Sequence, residues 1–320
     1  MPTLYRRLLN VLPRAGVEVV NLGSGMALVT RRRKDGGDPS AVSRKRAEAW
    51  MASHSGTSET SAAGKWEVVP LGESGEQMVI DATASDEQAL QLAAASYLVN
   101  HHVAGLLAKY QVNCVLDVGA NSGQYANRLR TLGYTGRIVS FEPTSDAFAK
   151  LQEAAADDPE WQVHQVALGR EETTQSMHVD WATMNSLLPA SDYGKDRYQR
   201  FGSTRTEEIQ IRRLDDVLPE ALAGLSDPRP YLKMDTQGFD LEVFAGAGER
   251  IGDFIGMQSE VAALRLYEGS PSMSDAIAAY ERSGFAITGM YPVTREKTTG
   301  LVVEFDCVMM RPSAAPALSA

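Results

Sequence analysis

The feature that most constrains the fold is a regular alternation of short apolar runs with longer amphipathic segments, from about residue 86 to residue 312. The run "VNCVLDVG" precedes "GQYANRLRTLG", the run "RIVSFEP" precedes "SDAFAKLQEAAAD", and a further run, "WQVHQVALG", follows. Short apolar runs are typical of buried strands, and the segments between them carry apolar residues at helical spacing. Strands that alternate with helices predict right-handed crossovers and a parallel sheet covered on both faces.

The C-terminal third adds the strand runs "PYLKMDTQG" and "IGMQSEV", the helix "SMSDAIAAYERSG" and two further strands, "FAITGMYPV" and "LVVEFDCVMM". The last two are separated only by the polar stretch "TREKTTG", which predicts an antiparallel hairpin. The connection from about 171 to 217 is long, and such connections in compact domains are usually lids or binding loops.

These patterns predict three parts: an N-terminal extension over 1–85, the α/β domain over 86–312, and a tail over 313–320. Within the extension, "GVEVVNLGSGMALVT" predicts two short strands around a turn. Residues 31–65 contain few apolar side chains, so we expect a flexible segment there, with a short helix around "SRKRAEAWMA".

Charge and composition restrict the class of protein. The net charge of -10 and the pI of about 5.1 disfavour a chain that wraps a polyanion. The basic stretch "RRRK" at 31–34 could touch a phosphate or a nucleic acid, or could be a solvated flank. No apolar stretch approaches the roughly 20 residues of a membrane span, and no secretory signal is seen. Cys114 and Cys307 lie in strand-like runs, so we expect two buried thiols in a cytoplasmic protein.

A glycine-rich turn, "VLDVGANSG" over 115–123, follows the first strand of the alternation. Gly119 and Gly123 allow the backbone to bend sharply and to approach a ligand, and the following helix offers unpaired N–H groups. Glu142 ends the next strand, nineteen residues after Gly123. That spacing predicts an acid that accepts hydrogen bonds from a ribose diol.

Nicotinamide enzymes and methyltransferases both use such a turn, and the position of Asp117 favours a methyltransferase. It stands two residues before the first glycine. A carboxylate repels a pyrophosphate, whereas a sulfonium cofactor with an ammonium group tolerates it. The turn is therefore predicted to bind S-adenosylmethionine.

Several motifs together resemble the FkbM family of S-adenosylmethionine-dependent methyltransferases. They are "VLDVGANSGQYANRLR", "FEP", "QVALG", "NSLL", "RLDDVL" and "KMDTQGFDLEVFAGA", in this order, and the resemblance covers roughly 106–311. It implies a class I methyltransferase sheet, which is Rossmann-like and has seven strands with the last antiparallel. It also implies O-methylation of a hydroxyl on a small acceptor such as a sugar, a glycan or a secondary metabolite.

The resemblance also implies cofactor-binding residues. The methionine and ribose parts would be cradled by Asp117, Gly119, Asn121 and Gly123, and Glu142 would hold the ribose hydroxyls. Val166 and Ala167 would flank the adenine, or they merely finish a strand.

Three polar residues at later strand ends are the predicted catalytic set. Asp235 ends "KMD" and could take the acceptor proton, or could bind a divalent cation that lowers the hydroxyl pKa. Many family members have Asp-Val-Glu-Gly here, and Gln237 replaces the glutamate, which leaves only hydrogen bonding to that position. Glu260 ends "MQSE" and could join Asp235 as a second metal ligand, or could be a structural acid.

Two questions stay open. In the long connection, Trp181, with Asn185 and Ser186 nearby, could stack on a sugar face or could be a hydrophobic plug. The alternatives to a methyltransferase are a non-catalytic binding module and a nicotinamide-dependent oxidoreductase. Methylation of nucleic acid is disfavoured, because the body is acidic and the Asn/Asp-Pro-Pro-aromatic tetrad that holds a flipped base is missing.

Overall fold

The computed structural model describes the strands at 17–23, 26–31, 66–71 and 76–81 and the continuous stretch 87–315. Chain contacts divide the protein into two compact units, Met1–Tyr97 and Leu98–Ala320. The boundaries predicted for the extension and the tail stay predictions.

The first unit contains a four-stranded antiparallel sheet. Its strands are β1 (Val17–Gly23), β2 (Met26–Arg31), β3 (Trp66–Leu71) and β4 (Glu76–Asp81). They pair in the order β1-β2-β4-β3, so the two predicted strands around a turn are confirmed as β1 and β2. Apart from Arg31, the predicted flexible segment and its short helix lie outside the described residues.

The alternation of strands and helices follows in chain order. The first half runs α1 (Glu87–Lys109), β5 (Cys114–Val118), α2 (Gln124–Thr131), β6 (Arg137–Phe141), α3 (Ser145–Ala155), β7 (Trp161–His164), β8 (Ala167–Gly169), β9 (Thr173–His178), α4 (Asp192–Arg197) and β10 (Thr206–Arg213). The second half runs α5 (Leu214–Ala221), β11 (Pro230–Met234), α6 (Asp240–Gly246), β12 (Gly256–Ala262), α7 (Met273–Arg282), β13 (Ala286–Arg295) and β14 (Val302–Met310).

Seven of these strands form one twisted sheet, in the order β13-β14-β12-β11-β5-β6-β7. All neighbours are parallel except at β14, which runs antiparallel to both β12 and β13. The predicted hairpin and the antiparallel last strand are both confirmed. The order reverses between β5 and β11, so the carboxyl ends of these two central strands border the crevice in which ligands of such sheets bind.

Helices cover both faces of the sheet, as the alternation predicts. One face packs against α5, α6 and α7, which contribute Leu218, Phe244 and Tyr280. The other face packs against α1, α2 and α3, which contribute Leu107, Leu129 and Leu151. β5 and β11 are buried along their whole length, which is why they read as near-continuous apolar runs. None of the described helices is long and apolar enough to cross a membrane.

The apolar run "WQVHQVALG" forms two strands, and the prediction of a single strand is wrong. β7 ends at His164 in the large sheet, whereas β8 belongs to a three-stranded sheet of order β8-β10-β9. Trp161 and Leu168 are both buried, on the two sides of the break. Because each sheet buries apolar side chains, the hydrophobic pattern continues across the break and hides it.

Candidate active site

The carboxyl ends of β5, β6, β11 and β12 bring the predicted site residues to one edge of the sheet. The turn after β5 is tied to its neighbours by its backbone. The N–H groups of Gly119 and Ala120 each donate to the carbonyl of Phe141 at 3.0 Å, and the N–H of Asp235 donates to the carbonyl of Val118 at 3.0 Å. The turn and the loop that carries Asp235 are therefore directly adjacent.

Three residues of the turn adopt positive φ: Gly119 at 78°, Asn121 at 49° and Gly123 at 83°. A Cβ atom added at Gly119 would lie 2.0 Å from the carbonyl oxygen of Asp235, so only glycine fits there. Asparagine is among the few other residues that accept this conformation. At Gly119, the backbone of the turn therefore lies directly against the loop after β11, and we call this turn the glycine cradle.

Glu142 is 6% exposed and lies against this turn. One of its oxygens, Oε2, accepts from the N–H of Asn121 at 2.9 Å, and Oε1 accepts from the N–H and the hydroxyl of Thr144 at 3.0 and 2.5 Å. Burial raises the pKa of Glu142, and these hydrogen bonds partly oppose the rise. A carboxylate offers about four lone-pair sites. Three are in use, which leaves one acceptor site on Glu142, and its predicted contact with the ribose stays a prediction.

Asp117 is fully buried, and its carboxylate has protein partners. Its Oδ1 lies 3.0 Å from Nζ of Lys233, and its Oδ2 accepts from the hydroxyl of Ser140 at 3.3 Å. That hydroxyl in turn accepts from Nε1 of Trp161 at 2.9 Å. A direct contact of Asp117 with the cofactor stays a prediction, and the structure places its charge against Lys233.

Val166 and Ala167 both lie near the surface of the core, 7% and 8% exposed. Val166 packs in the cluster shared with α5, α6 and α7, and Ala167 begins β8 opposite Ile211. Their predicted contact with adenine stays a prediction.

The side-chain amide of Gln237 connects the two acids of the predicted catalytic set, Asp235 and Glu260. Nε2 of Gln237 donates to Oδ1 of Asp235 and to Oε2 of Glu260, at 2.9 Å in each case. Its carbonyl oxygen accepts from the hydroxyl of Tyr267 at 2.7 Å. The side chain of Asp235 is 43% exposed. Gln237 thus takes the hydrogen-bonding position that its chemistry predicts.

Two further acids shape this edge, and neither was expected from the sequence. Asp240 is buried at the start of α6 and accepts from the N–H of Thr236 at 2.9 Å and from the N–H of Glu260 at 3.1 Å. Glu304 is 7% exposed on β14 and lies opposite Ala262, two residues along β12 from Glu260. Burial, and then the charge of Asp235, raise the pKa of Glu304 to about 8. Burial and the charge of Glu304 raise the pKa of Glu260 well above its usual value.

The predicted divalent-cation site at Asp235 and Glu260 finds no support. Among the described residues there is no group of three or more His, Cys, Asp or Glu side chains placed to hold a metal ion. The two carboxylates are instead bridged by the N–H groups of Gln237, which are donors and cannot bind a cation.

The long connection contributes a hydrophobic plug. Trp181 is 2% exposed, stacks on His178 at 4.8 Å between ring centroids, and donates from Nε1 to the carbonyl of Ser203 at 3.2 Å. Its faces are therefore covered by protein, which excludes the sugar-stacking alternative. Ser186 donates to the carbonyl of Gln237 at 2.8 Å and so ties the connection to the loop after β11.

A cleft of about 280 Å³ opens beside the turn. Asn121 and Thr144 line it, together with residues of the long connection, among them Asp180, Thr183 and Asn185. The connection therefore reaches the glycine-rich turn after β5 as well as the loop after β11.

The sheet order, the glycine cradle and the acid at the end of β6 define a class I, Rossmann-like methyltransferase domain. The family description "Methyltransferase FkbM domain" matches residues 117–287, more than half of the chain, and the chain belongs to this family. It is an S-adenosylmethionine-dependent methyltransferase, as the motifs predict. The nicotinamide-dependent oxidoreductase and the non-catalytic binding module are thereby set aside.

Comparison with individual proteins gives a relative and several structures. The 2-O-methyltransferase NoeI of Sinorhizobium fredii (strain NBRC 101917 / NGR234) is 27% identical over 183 residues, which are 54% of this chain and 73% of NoeI. Aeropyrum pernix fibrillarin, solved with natively bound S-adenosyl-L-methionine, aligns with a TM-score of 0.38 at 12% identity, over 92% of this chain and 100% of that one. Magnesium protoporphyrin IX methyltransferase from Synechocystis PCC 6803, solved with bound SAM, aligns with a TM-score of 0.38 at 10% identity, over 87% and 100%.

Proposed function

We propose that this protein transfers a methyl group from S-adenosylmethionine to a hydroxyl of a small acceptor, such as a sugar, a glycan or a secondary metabolite. The proposal includes Asp235 as the residue that accepts the hydroxyl proton. We also keep the expectation of a cytoplasmic enzyme. The acidic composition supports the further expectation that it does not act on nucleic acid.

The exposure of Asp235 is the observation that carries the proposal. Asp235 is partly exposed, whereas Asp117, Glu142 and Glu304 are buried. Among these acids, Asp235 is therefore the one that an acceptor can reach. Its backbone adjoins the cofactor-binding turn, so a hydroxyl at its carboxylate would lie near the transferred methyl group.

When bound, S-adenosylmethionine supplies an electrophilic methyl group. Asp235 takes the proton of the acceptor hydroxyl as the oxygen–methyl bond forms and the sulfur–methyl bond breaks, and then releases that proton to water. A well-placed general base contributes about 10²- to 10⁴-fold to the rate. The hydrogen bond from Gln237 fixes the orientation of the Asp235 carboxylate, because Gln237 is itself held by Tyr267.

Glu260 has a different role in this scheme. Burial, and then the charge of Glu304, raise the pKa of Glu260, so it keeps its proton to a higher pH than an ordinary glutamate does. A protonated carboxyl group cannot act as the base, but it donates a hydrogen bond. Glu260 therefore serves to orient an acceptor oxygen beside Asp235.

The choice of oxygen as the acceptor atom rests on two supports. The first is the carboxylate base, since a hydroxyl must lose its proton when it is methylated. The second is the name of the relative NoeI, a 2-O-methyltransferase that shares 27% identity over 183 residues.

The test uses methyl-labelled S-adenosylmethionine with a panel of monosaccharides and glycosides and with fractionated cell extract. We expect label in a product that resists mild base, because a methyl ether is stable there and a methyl ester is not. Asp235→Asn should lower kcat by about 10²- to 10⁴-fold. Its affinity for S-adenosylhomocysteine, measured by titration calorimetry, should stay within about two-fold.

Asp157→Asn, at an exposed position after α3, is the matched control and should retain full activity. A base-labile product would be a methyl ester, and would show that the acceptor group is a carboxyl group and not a hydroxyl. Unchanged turnover in Asp235→Asn would remove Asp235 from its role.

A further inference from the structure

Lys233 is a buried lysine at the centre of the sheet, and methyl transfer as proposed above does not use it. It lies on β11 and is 5% exposed. Lysine is almost never fully buried unless it is paired, because removing its charge from water is costly. Its partners therefore indicate what holds it there.

The ammonium group of Lys233 contacts both sides of the crevice. Nζ lies 3.0 Å from Oδ1 of Asp117 and donates to the carbonyl of Gly119 at 3.2 Å. It also lies 3.6 Å from Oδ2 of Asp235. The ammonium therefore donates one hydrogen bond, to the turn, and forms ion pairs with two carboxylates, one on each strand end. The ring of Tyr125 covers the group, with its centroid 5.3 Å from Nζ.

The surrounding charges keep Lys233 ionised. Burial would lower its pKa, but the carboxylates of Asp117 and Asp235 outweigh burial and hold the pKa of Lys233 above its usual value. Asp240, on α6, acts in the same direction.

The charge of Lys233 acts in turn on two acids. It lowers the pKa of Glu142 on the cofactor side and of Asp306 on β14, against the larger effect of burial in each case. The positive charge of Lys233 therefore acts on the cofactor-binding turn, on Asp235 and on Glu142.

We propose that Lys233 is a positioning residue, which holds the cofactor-binding turn and Asp235 in one geometry. Asp117 acts through Lys233, by fixing the ammonium between the two strand ends. This inference rests on the proposed function only for the role of Asp235 as base.

The physical reason is the sensitivity of displacement reactions to geometry. A shift of about 1 Å in a reacting group can cost about 10²-fold in rate. The carbonyl of Gly119 belongs to the turn, and the Asp235 carboxylate belongs to the loop after β11. Lys233 bonds to the first and pairs with the second, so it limits their relative movement.

The experiment compares Lys233→Met with Lys233→Arg, which keeps the charge, and with Lys109→Met, an exposed control on α1. The first readout is the affinity for S-adenosylhomocysteine between pH 5 and pH 8.5, measured by titration calorimetry. Without the Lys233 charge, Glu142 holds its proton to higher pH. We therefore expect the acidic loss of affinity to move to higher pH in Lys233→Met, and to stay near the wild-type position in Lys233→Arg and Lys109→Met.

The second readout is methyl transfer. Lys233→Met should lower kcat by about 10- to 100-fold, with a smaller change in KM for S-adenosylmethionine. If Lys233→Met does not fold, the charge-neutral pair Asp117→Asn with Lys233→Met provides the same measurement, because no buried charge is then left unpaired.

A pH profile of S-adenosylhomocysteine affinity identical to that of the wild type, in a folded variant, would overturn the proposal. This readout needs no acceptor. An error in the acceptor, or in Asp235 as base, would therefore appear in the transfer assay and leave the binding profile unaffected.

Discussion

Replacement of Glu304 by glutamine is expected to stabilise the protein increasingly as the pH rises. Burial, and then the charge of Asp235, raise the pKa of Glu304 from 4.5 to about 8. Because this folded-state pKa lies above the unfolded value, the folded protein keeps a proton that the unfolded chain has lost between these two pH values. Stability conferred by Glu304 is therefore present at low pH and is lost as the pH rises from about 4.5 to about 8.

The magnitude follows from the same pKa. Each pH unit across this interval corresponds to about 1.4 kcal/mol, so ionisation of Glu304 costs the folded state up to about 5 kcal/mol. Glutamine has a similar shape and carries no proton to lose. The free energy of unfolding of Glu304→Gln should therefore approach that of the wild type near pH 5 and exceed it by several kcal/mol near pH 8.

Urea unfolding followed by tryptophan fluorescence at pH 5, 6, 7 and 8 measures this difference. Glu153→Gln makes the same chemical change at an exposed position of α3 and should leave the pH dependence of the wild type unchanged. Parallel curves of unfolding free energy against pH for the wild type and Glu304→Gln would refute the reasoning, because they would show that Glu304 ionises at its ordinary pKa.

Three further changes test other parts of the site. Gly119→Ala places a Cβ 2.0 Å from the Asp235 carbonyl oxygen and should lower stability by about 2–4 kcal/mol, as thermal unfolding would show. It should also lower the affinity for S-adenosylhomocysteine at least ten-fold, and a normal affinity would contradict the cradle. Gln237→Glu removes the N–H donor shared by Asp235 and Glu260 and adds a carboxylate. The free energy of unfolding should therefore fall more at pH 8 than at pH 5. An equal loss at both pH values would argue against the Gln237 bridge between the two acids. Trp181→Ala should cost about 3–5 kcal/mol and Trp181→Phe clearly less, as unfolding in urea would show; a small loss in both would contradict the plug.

The sequence predicted the elements and the edge at which they meet. Helical periodicity and short apolar runs are local signals, and β5, β6, β11 and β12 appear where these signals place them. Parallel strands end at one edge, so residues that follow successive strands must meet there. The adjacency of the turn and Asp235 was predictable for this reason, as was the antiparallel pair β13 and β14.

Local sequence patterns gave a wrong prediction where one continuous apolar run forms strands of two different sheets. The run "WQVHQVALG" is buried on both sides of its break, so periodicity could not separate β7 from β8. Trp181 similarly carries no local sign of whether protein or ligand will cover its ring. The decision came from His178 and Phe201, which pack against it in the folded chain.

The roles of the charged residues were decided by the tertiary structure alone. The sequence placed Asp117, Glu142, Asp235 and Glu260 at strand ends, and it contained one signal of a buried charge, the lone lysine in "YLKMD". It could not pair Lys233 with Asp117, 116 residues earlier, or bring Glu304 of β14 next to β12, the strand of Glu260, because both depend on strand order and register. Charge energies depend on burial and on distances of a few ångströms. The residue types at the site are thus a property of the sequence, whereas their partners and protonation are set by the packing of the sheet.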